Sequence, residues 1–148
     1  MIQLKKGDKV YHKDGFKDLV CTVLALDNDN LHMSIQDSRN KNAKILSPEL
    51  IDDYVLTNIS LERWKEMTSD EQLEYLKLHP ELNRQWVVSW FGISEYGDQC
   101  SVCERLGAVE TLIEHKNPSD GILAETFNKI LHSRSYLKTV AILNFWEV

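Results

Sequence analysis

The sequence contains few of the residues that interrupt or cross-link a chain. Its 148 residues include six glycines, three prolines and three cysteines. So little glycine and proline argues against long disordered linkers, which are rich in both. Cys21, Cys100 and Cys103 are too few and too unevenly spaced for the disulfide framework of a small secreted protein. The whole chain is therefore expected to fold, and the cysteine usage favours a reducing cytoplasm.

Long apolar stretches are also missing. The longest, Trp86 to Ile93, has the length of a strand, whereas a membrane-spanning helix needs roughly 18 or more apolar residues. The N-terminal residues lack the apolar run of a signal peptide. The sequence therefore predicts neither a membrane span nor a secretory leader.

Positive charge is scarce in the chain as a whole. There are 17 basic and 23 acidic side chains, so the formal net charge is −6, which excludes a uniformly basic nucleic-acid coat. The charge is uneven, however. Residues 1–46 carry eight Lys or Arg against six Asp, a sum of +2, and the remainder sums to −8. The net charge therefore does not exclude binding of nucleic-acid phosphates by the N-terminal part.

The N-terminal third has the pattern of a β-meander. Residues 9–12 favour a strand, residues 19–26 form an apolar run, and residues 31–36 alternate apolar and polar side chains. An Asp/Asn turn at residues 27–30 separates the last two. Farther on, Ser47-Pro48 predicts an N-cap and one short helical turn before a strand at 54–56.

Two capped helices are predicted next. Ser60 predicts the cap of a helix through Met67, and Thr68 and Glu71 have the spacing of a capping box for a second helix. Pro80 is expected to end that helix, because the residue before a proline is pushed out of the helical region.

The rest of the chain mixes strand and helix patterns. Residues 86–93 predict a buried strand, and residues 136–146 predict a last one. Apolar side chains recur at helical spacing over 106–113 and 122–131, with a turn at 117–119 between them. The sequence therefore predicts an α+β fold, with about four helices and a small sheet over residues 58–148.

The order of patterns in residues 1–57 resembles a known small fold. The opening Lys6-Gly-Asp-Lys-Val10, a turn at Gly15, the strand ending at Leu26, and the alternating strand after the Asp/Asn turn resemble SH3-like barrels of the KOW and Tudor type. The resemblance implies an SH3-like small β-barrel over residues 1–57, followed by a mixed α/β domain over 58–148. It also implies binding rather than catalysis, with nucleic acid, ribosome or polymerase surfaces, or peptides as the usual partners.

Basic side chains supply the candidate interface. One group lies near the start of the barrel and a second follows its third strand, and both can meet phosphates if the barrel folds them onto one side. Tyr11, His12, Phe16 and His32 offer rings for stacking. The alternative is that the lysines solvate the edges of a small sheet. The predicted nucleic-acid-binding residues are Lys5, Lys6, Lys9, Lys13, Lys17, Tyr11, Arg39, Lys41 and Lys44.

Cys100-Ser-Val-Cys103 is the one chemical motif. It is predicted to lie between a strand and a helix, where a helix N-terminus lowers the pKa of a thiol, as in dithiol oxidoreductases. As a zinc site the pair is incomplete, since four ligands are needed and His115 and His132 lack the usual spacing. In the remaining interpretation, Cys100 and Cys103 are unreactive and are buried as small hydrophobic side chains. No catalytic residue, metal or cofactor is predicted.

The leading hypothesis is a non-enzymatic accessory or regulatory factor that contacts double-stranded DNA, or a protein of the transcription machinery, through the N-terminal barrel. Compact acidic chains of this kind resemble accessory regulators of phages and bacteria. Two alternatives stay open: a protein-only adaptor or inhibitor acting through the acidic second domain, and a dithiol oxidoreductase using Cys100 and Cys103. A homodimer is left open, and no membrane partner is expected.

Overall fold

The structure is a computed structural model that describes residues 1–115 and 121–148. The contacts within the chain divide it into two compact units, Met1–Tyr75 and Leu76–Val148. The described residues form eight strands in two antiparallel sheets and four α-helices, which confirms the predicted α+β class. None of the helices in this part of the chain combines the length and the apolar character needed to span a bilayer. The turn predicted at 117–119 lies outside the described residues.

The first unit contains one five-stranded antiparallel sheet with the order β4-β3-β2-β1-β5. The first four strands form a meander, and β5 returns to the free side of β1. Over residues 1–75, all of which are described, β4 and β5 do not pair, so the sheet is open rather than closed into a barrel. Its strands are β1 (Lys9–His12), β2 (Cys21–Leu26), β3 (His32–Asp37), β4 (Leu46–Leu50) and β5 (Tyr54–Thr57).

The core of this unit lies on one face of the sheet. Val10 pairs with Leu56 across β1 and β5, and Val23 pairs with Ile35 across β2 and β3. All four are at most 2% exposed. Paired residues share a face and successive residues alternate between faces, so the strand alternation read from the sequence places these side chains inward together.

The Asp/Asn turn between β2 and β3 is confirmed. Asn30 adopts a positive φ of 58°, a conformation that asparagine tolerates. The carboxylate of Asp29 accepts hydrogen bonds from the amides of Leu31 (2.9 Å) and His32 (3.1 Å). The amide of Leu31 is the main reason that the pKa of Asp29 is lowered.

The helical turn predicted after Ser47-Pro48 is wrong. Residues 46–50 form β4, which pairs with β3, and the 3₁₀ turn comes later, at Ile51–Asp53. A proline is tolerated here because β4 is an edge strand, where a missing amide donor need not break a ladder hydrogen bond. The pairing with β3, a contact distant in sequence, outweighs the local helix-start signal.

The caps predicted for the next two helices are confirmed. Helix α1 spans Leu61–Glu66 and α2 spans Ser69–Leu78. The hydroxyl of Ser60 accepts from the amide of Arg63 at 3.1 Å. Helix α2 ends before Pro80, which begins a 3₁₀ turn at Pro80–Leu82.

The capping box of α2 yields a prediction about Glu71. Its carboxylate accepts from the amides of Thr68 and Gln3, each at 3.0 Å, while the Thr68 hydroxyl accepts from the amide of Glu71. The Thr68 amide, followed by that of Gln3, lowers the pKa of Glu71. Because the folded pKa is the lower one, the stabilisation is present above the unfolded carboxyl pKa and is lost as pH falls through the folded value.

We therefore expect Glu71→Gln to lower the free energy of unfolding by about 1 kcal/mol at pH 7, since glutamine presents an NH₂ group to one of the two amides. Urea unfolding over a series of pH values from 7 downward should show the difference shrinking as pH falls through the folded pKa of Glu71, because protonation removes the charge that the two amides stabilise. Asp70→Asn, which removes the same charge from the first turn of α2, is the matched control. An equal loss in both variants would contradict the capping role.

The second unit contains a three-stranded antiparallel sheet with two helices on one face. The order is β7-β6-β8, so β6 is central. Val88 and Trp90 of β6 pack against Ile130 of α4 in one core cluster, and Trp86 packs with Ile122 in another. Its elements are β6 (Gln85–Ser94), β7 (Gln99–Gly107), α3 (Val109–Glu114), α4 (Ile122–Ser133) and β8 (Leu137–Glu147).

The predicted elements of this region are largely confirmed. The strands predicted at 86–93 and 136–146 are β6 and β8, and the helix predicted at 122–131 is α4. The helix predicted from Leu106 begins instead at Val109, because residues through Gly107 continue the ladder of β7 with β6. Leu106 packs inward from that strand.

Helix α1 belongs to the first unit. The sequence places a boundary between residues 57 and 58, whereas the contacts divide the chain after Tyr75. Arg63 of α1 donates through Nε to Asp8 Oδ1 at 2.9 Å, and Trp64 meets Tyr75 edge-on with ring centroids 6.2 Å apart. These buried contacts join α1 to the start of β1 and to α2.

This division redistributes the charge. The acidic residues of α1 and α2 all fall within the first unit, which holds ten basic and fourteen acidic side chains, a net charge of −4. The second unit holds seven basic and nine acidic side chains, a net charge of −2. Any basic surface on the first unit is therefore a local feature.

Candidate nucleic-acid interface

Hydrogen bonds join the β1–β2 loop (residues 13–20) to the β3–β4 loop (residues 38–45). The guanidinium of Arg39 donates to the carbonyl of Asp18 at 3.0 Å. The amide of Ser38 donates to the carbonyl of Val20 at 3.1 Å. Arg39, from the second predicted group of cations, therefore lies against the loop that carries Lys13 and Lys17.

A polar row across the sheet continues this contact. Lys9, Thr22 and Gln36 are aligned on the face opposite the core. The Lys9 ammonium lies 2.6 Å from Thr22 Oγ1, which lies 2.7 Å from the hydroxyl of Ser38. Through this chain of contacts Lys9 is connected to the β3–β4 loop.

Gln36 holds the far part of the β3–β4 loop against the same face. Its side-chain amide donates to the carbonyls of Lys41 (2.8 Å) and Ala43 (3.0 Å). Thr22 and Gln36 were not predicted as interface residues, because neither side chain is charged or aromatic. Both occupy outward positions in the strand alternation. We call Lys9, Lys17, Arg39 and Lys41 the basic surface.

The remaining predicted cations are not tied to this surface by the contacts described above. The ammonium of Lys5 lies 3.6 Å from Glu66 of α1. Lys6, Lys13 and Lys44 are exposed. Lys13 shares the β1–β2 loop with Lys17, so it is the nearest to the basic surface along the chain.

The candidate aromatic residues differ in accessibility. Tyr11 is 7% exposed, so its ring is not available for stacking on a base. His12 packs edge-on against Tyr54, with ring centroids 5.1 Å apart, and His32 pairs with Asp29. Phe16 is 77% exposed and lies in the same loop as Lys17. Among the candidate rings, Phe16 is thus placed to stack beside the basic surface.

Acidic groups limit the field of the basic surface. Asp37 Oδ1 accepts from the amide of Arg39 at 2.9 Å, and Asp14 and Asp18 belong to the β1–β2 loop. Interspersed charge of both signs lowers the potential that a phosphate backbone meets. The arrangement suits weak contact with a few phosphates rather than a broad footprint.

Two titratable groups of the first unit are kept neutral. Burial, reinforced by the nearby carboxylate of Glu49, raises the pKa of Tyr54 to about 12. Burial, followed by the charges of Asp37 and Glu49, raises the pKa of the Cys21 thiol. A protonated thiol is a poor nucleophile and a poor metal ligand. Neither group therefore offers reactive chemistry near neutral pH.

The position predicted for the C-x-x-C motif is wrong. Cys100 and Cys103 both lie within β7, opposite Gly92 and Ser89 of β6, and α3 begins only at Val109. Side chains alternate between the faces of a strand, so a spacing of three residues places the two thiols on opposite faces. This backbone gives them neither a helix N-terminus nor a shared metal. All three cysteines are free.

Metal binding finds no further support. In residues 1–115 and 121–148, no group of three or more His, Cys, Asp and Glu side chains is arranged to hold a metal ion. The His115 and His132 considered with the cysteines thus do not complete a site with them in this part of the chain.

Comparisons with protein-family models, with curated proteins and with solved structures found no match to this chain.

Proposed function

We propose that this protein is a non-enzymatic nucleic-acid-binding accessory factor whose first unit contacts double-stranded DNA through the basic surface. The observation that carries the proposal is the Arg39–Asp18 contact, which sets two lysine- or arginine-bearing loops distant in sequence side by side. Lysine and arginine side chains that meet phosphates release counterions, and this supplies most of the affinity of nonspecific binding. The three free cysteines suit a cytoplasmic protein.

The strand order of the first unit supports an SH3-like assignment within this proposal. A four-stranded meander is followed by a 3₁₀ turn, and β5 then returns beside β1. We propose that residues 1–57 are an SH3-like module of the KOW or Tudor type, with α1 packed on it through Arg63. Two loops of this module carry the basic surface except for Lys9, which lies on β1.

The charge balance sets the expected strength of binding. The first unit carries a net charge of −4, so attraction of DNA depends on local groups of cations such as the basic surface. We expect a Kd on the order of 10⁻⁵ M near physiological salt, which is typical of sequence-independent binding.

The test is fluorescence anisotropy of a labelled DNA duplex, measured over a range of salt concentrations. The double variant Lys17→Ala/Arg39→Ala removes one cation from each of the two joined loops. We expect about a tenfold loss of affinity at low salt, and a slope of log K against log salt that is shallower by about 2, because each phosphate contact contributes roughly 0.9.

The matched control is Lys65→Ala/Lys77→Ala, which removes two exposed helical lysines outside the basic surface. It should retain most of the affinity and the wild-type slope. Equal losses in the two double variants would mean that net charge, not this surface, governs binding. No binding of the wild-type protein even at low salt would overturn the proposal.

A further inference from the structure

The sheet of the second unit has one covered face and one exposed face. Val88 and Trp90 of β6 point toward α4 and are fully buried. The residues that alternate with them, Val87, Ser89, Phe91 and Ile93, point to the opposite face and are only half-buried. Three of these four are large and apolar, so the central strand presents a hydrophobic ridge, interrupted by Ser89, on a face that the helices do not cover.

Residues of β8 extend this ridge on one side. Trp146 pairs with Val87, and Ala141 pairs with Phe91, so each lies on the same face as its partner. Trp146 is 48% exposed and Ala141 is also exposed. An exposed tryptophan beside half-buried aliphatic and aromatic side chains is typical of a protein interface.

The margins of this face are polar. Ser101, Cys103 and Arg105 on β7 are exposed, as is Asn144 on β8. Within the three described strands, Arg105 is the only charged residue among the paired positions of this face. Ser89 and Asn144 form a polar pair between the apolar pairs Val87–Trp146 and Phe91–Ala141. Apolar side chains beside polar and nearly uncharged ones match the mixed composition of a weak interface.

We propose that this face, called here the open sheet face, binds the same face of a second copy of the chain. Two such faces can pack as aligned sheets about 10 Å apart, as in a β-sandwich, with the β6 ridges in contact. A twofold axis pairs the same patch on both copies, and the near absence of charge means that self-pairing incurs little repulsion. A nucleic acid, by contrast, would require a track of cations that this face lacks.

The size of the open sheet face fits a dimer of modest stability. Three strands of about ten residues span roughly 33 Å by 14 Å, or about 460 Å² on each copy, so a face-to-face dimer would bury on the order of 900 Å² in total. Interfaces of about 1,000 Å² or slightly less are weak or transient. We therefore expect a dimer with a Kd in about the micromolar range.

Sedimentation velocity over a range of protein concentrations tests the proposal. Ala141→Lys places an ammonium at an exposed position of the open sheet face, once in each copy, and is expected to weaken the dimer at least about tenfold. Leu123→Lys, at an exposed position on α4, is the matched control and should dimerise like the wild type. A wild-type protein that stays monomeric at about 1 mM would overturn the proposal, as would a dimer that Ala141→Lys leaves intact.

The thiol of Cys103 gives a second readout that requires no variant. It is exposed on the open sheet face, so dimerisation should slow its alkylation as protein concentration rises, and Ala141→Lys should abolish that protection. Protection that appears only when a single-stranded oligonucleotide is added would assign the face to base stacking instead and overturn the dimer. The proposal is independent of DNA binding by the first unit, so either can fail without the other.

Discussion

Replacing Arg63 by methionine is expected to lower the free energy of unfolding by about 3–5 kcal/mol, the cost of leaving one partner of a buried ion pair unpaired. The guanidinium makes two hydrogen bonds to Asp8, at 2.9 and 3.1 Å, and a third to the carbonyl of Gln3 at 2.8 Å. The two side chains are 10% and 6% exposed. Without Arg63, the Asp8 carboxylate would remain buried beside the first strand.

Urea unfolding followed by far-UV circular dichroism measures this loss. Lys65→Met, an exposed position on the same helix, should change stability by less than about 0.5 kcal/mol. The double variant Asp8→Asn/Arg63→Met should be less destabilised than the sum of its single variants, because it leaves no unpaired charge. A loss below about 1 kcal/mol in Arg63→Met would contradict the pairing of α1 with the start of β1.

Trp90→Ala is expected to destabilise the second unit by a similar amount, about 3–5 kcal/mol, through the cavity it leaves. Trp90 is completely buried at the centre of the middle strand. Its indole N–H donates to Glu104 Oε1 at 3.0 Å, and the guanidinium of Arg134 lies 5.0 Å from its ring centroid. Arg134 also binds Glu104 Oε2 at 2.7 Å. The substitution therefore removes both core volume and the centre of a polar cluster.

Trp90→Phe separates these two contributions. It keeps an aromatic ring but loses the indole donor, while Arg134 still binds Glu104, so we expect a loss of about 1–2 kcal/mol. Tyr96→Ala, at a position that is 91% exposed, is the control and should change stability by less than about 0.5 kcal/mol. Thermal and urea unfolding by circular dichroism would contradict the core assignment if Trp90→Ala were as stable as that control.

The basic surface shows how far residue identity leads toward a site. Its cations could be selected from the sequence because they are basic side chains in a region of slight positive charge. The contact between the two loops that carry them could not be predicted, since Arg39 reaches the carbonyl of Asp18 only when β2 and β3 pair. The sequence did not predict the burial of Tyr11 either, because a tyrosine in a short strand can face solvent or core.

Features that depend on neighbouring residues were determined by the sequence itself. The cap of Ser60, the Thr68–Glu71 capping box, the Asp/Asn turn and the strand alternation of residues 9–36 all follow from chemistry within a few residues. The α+β class follows from those patterns. Pairing between distant segments decided the rest: it drew Ser47-Pro48 into an edge strand, placed Cys100 and Cys103 on opposite faces of β7, and joined α1 to the first unit through Arg63 and Asp8. The physical reason is that a β-ladder or a buried ion pair gains its free energy only from partners brought together by the fold, and that gain exceeds the local preferences visible in the sequence.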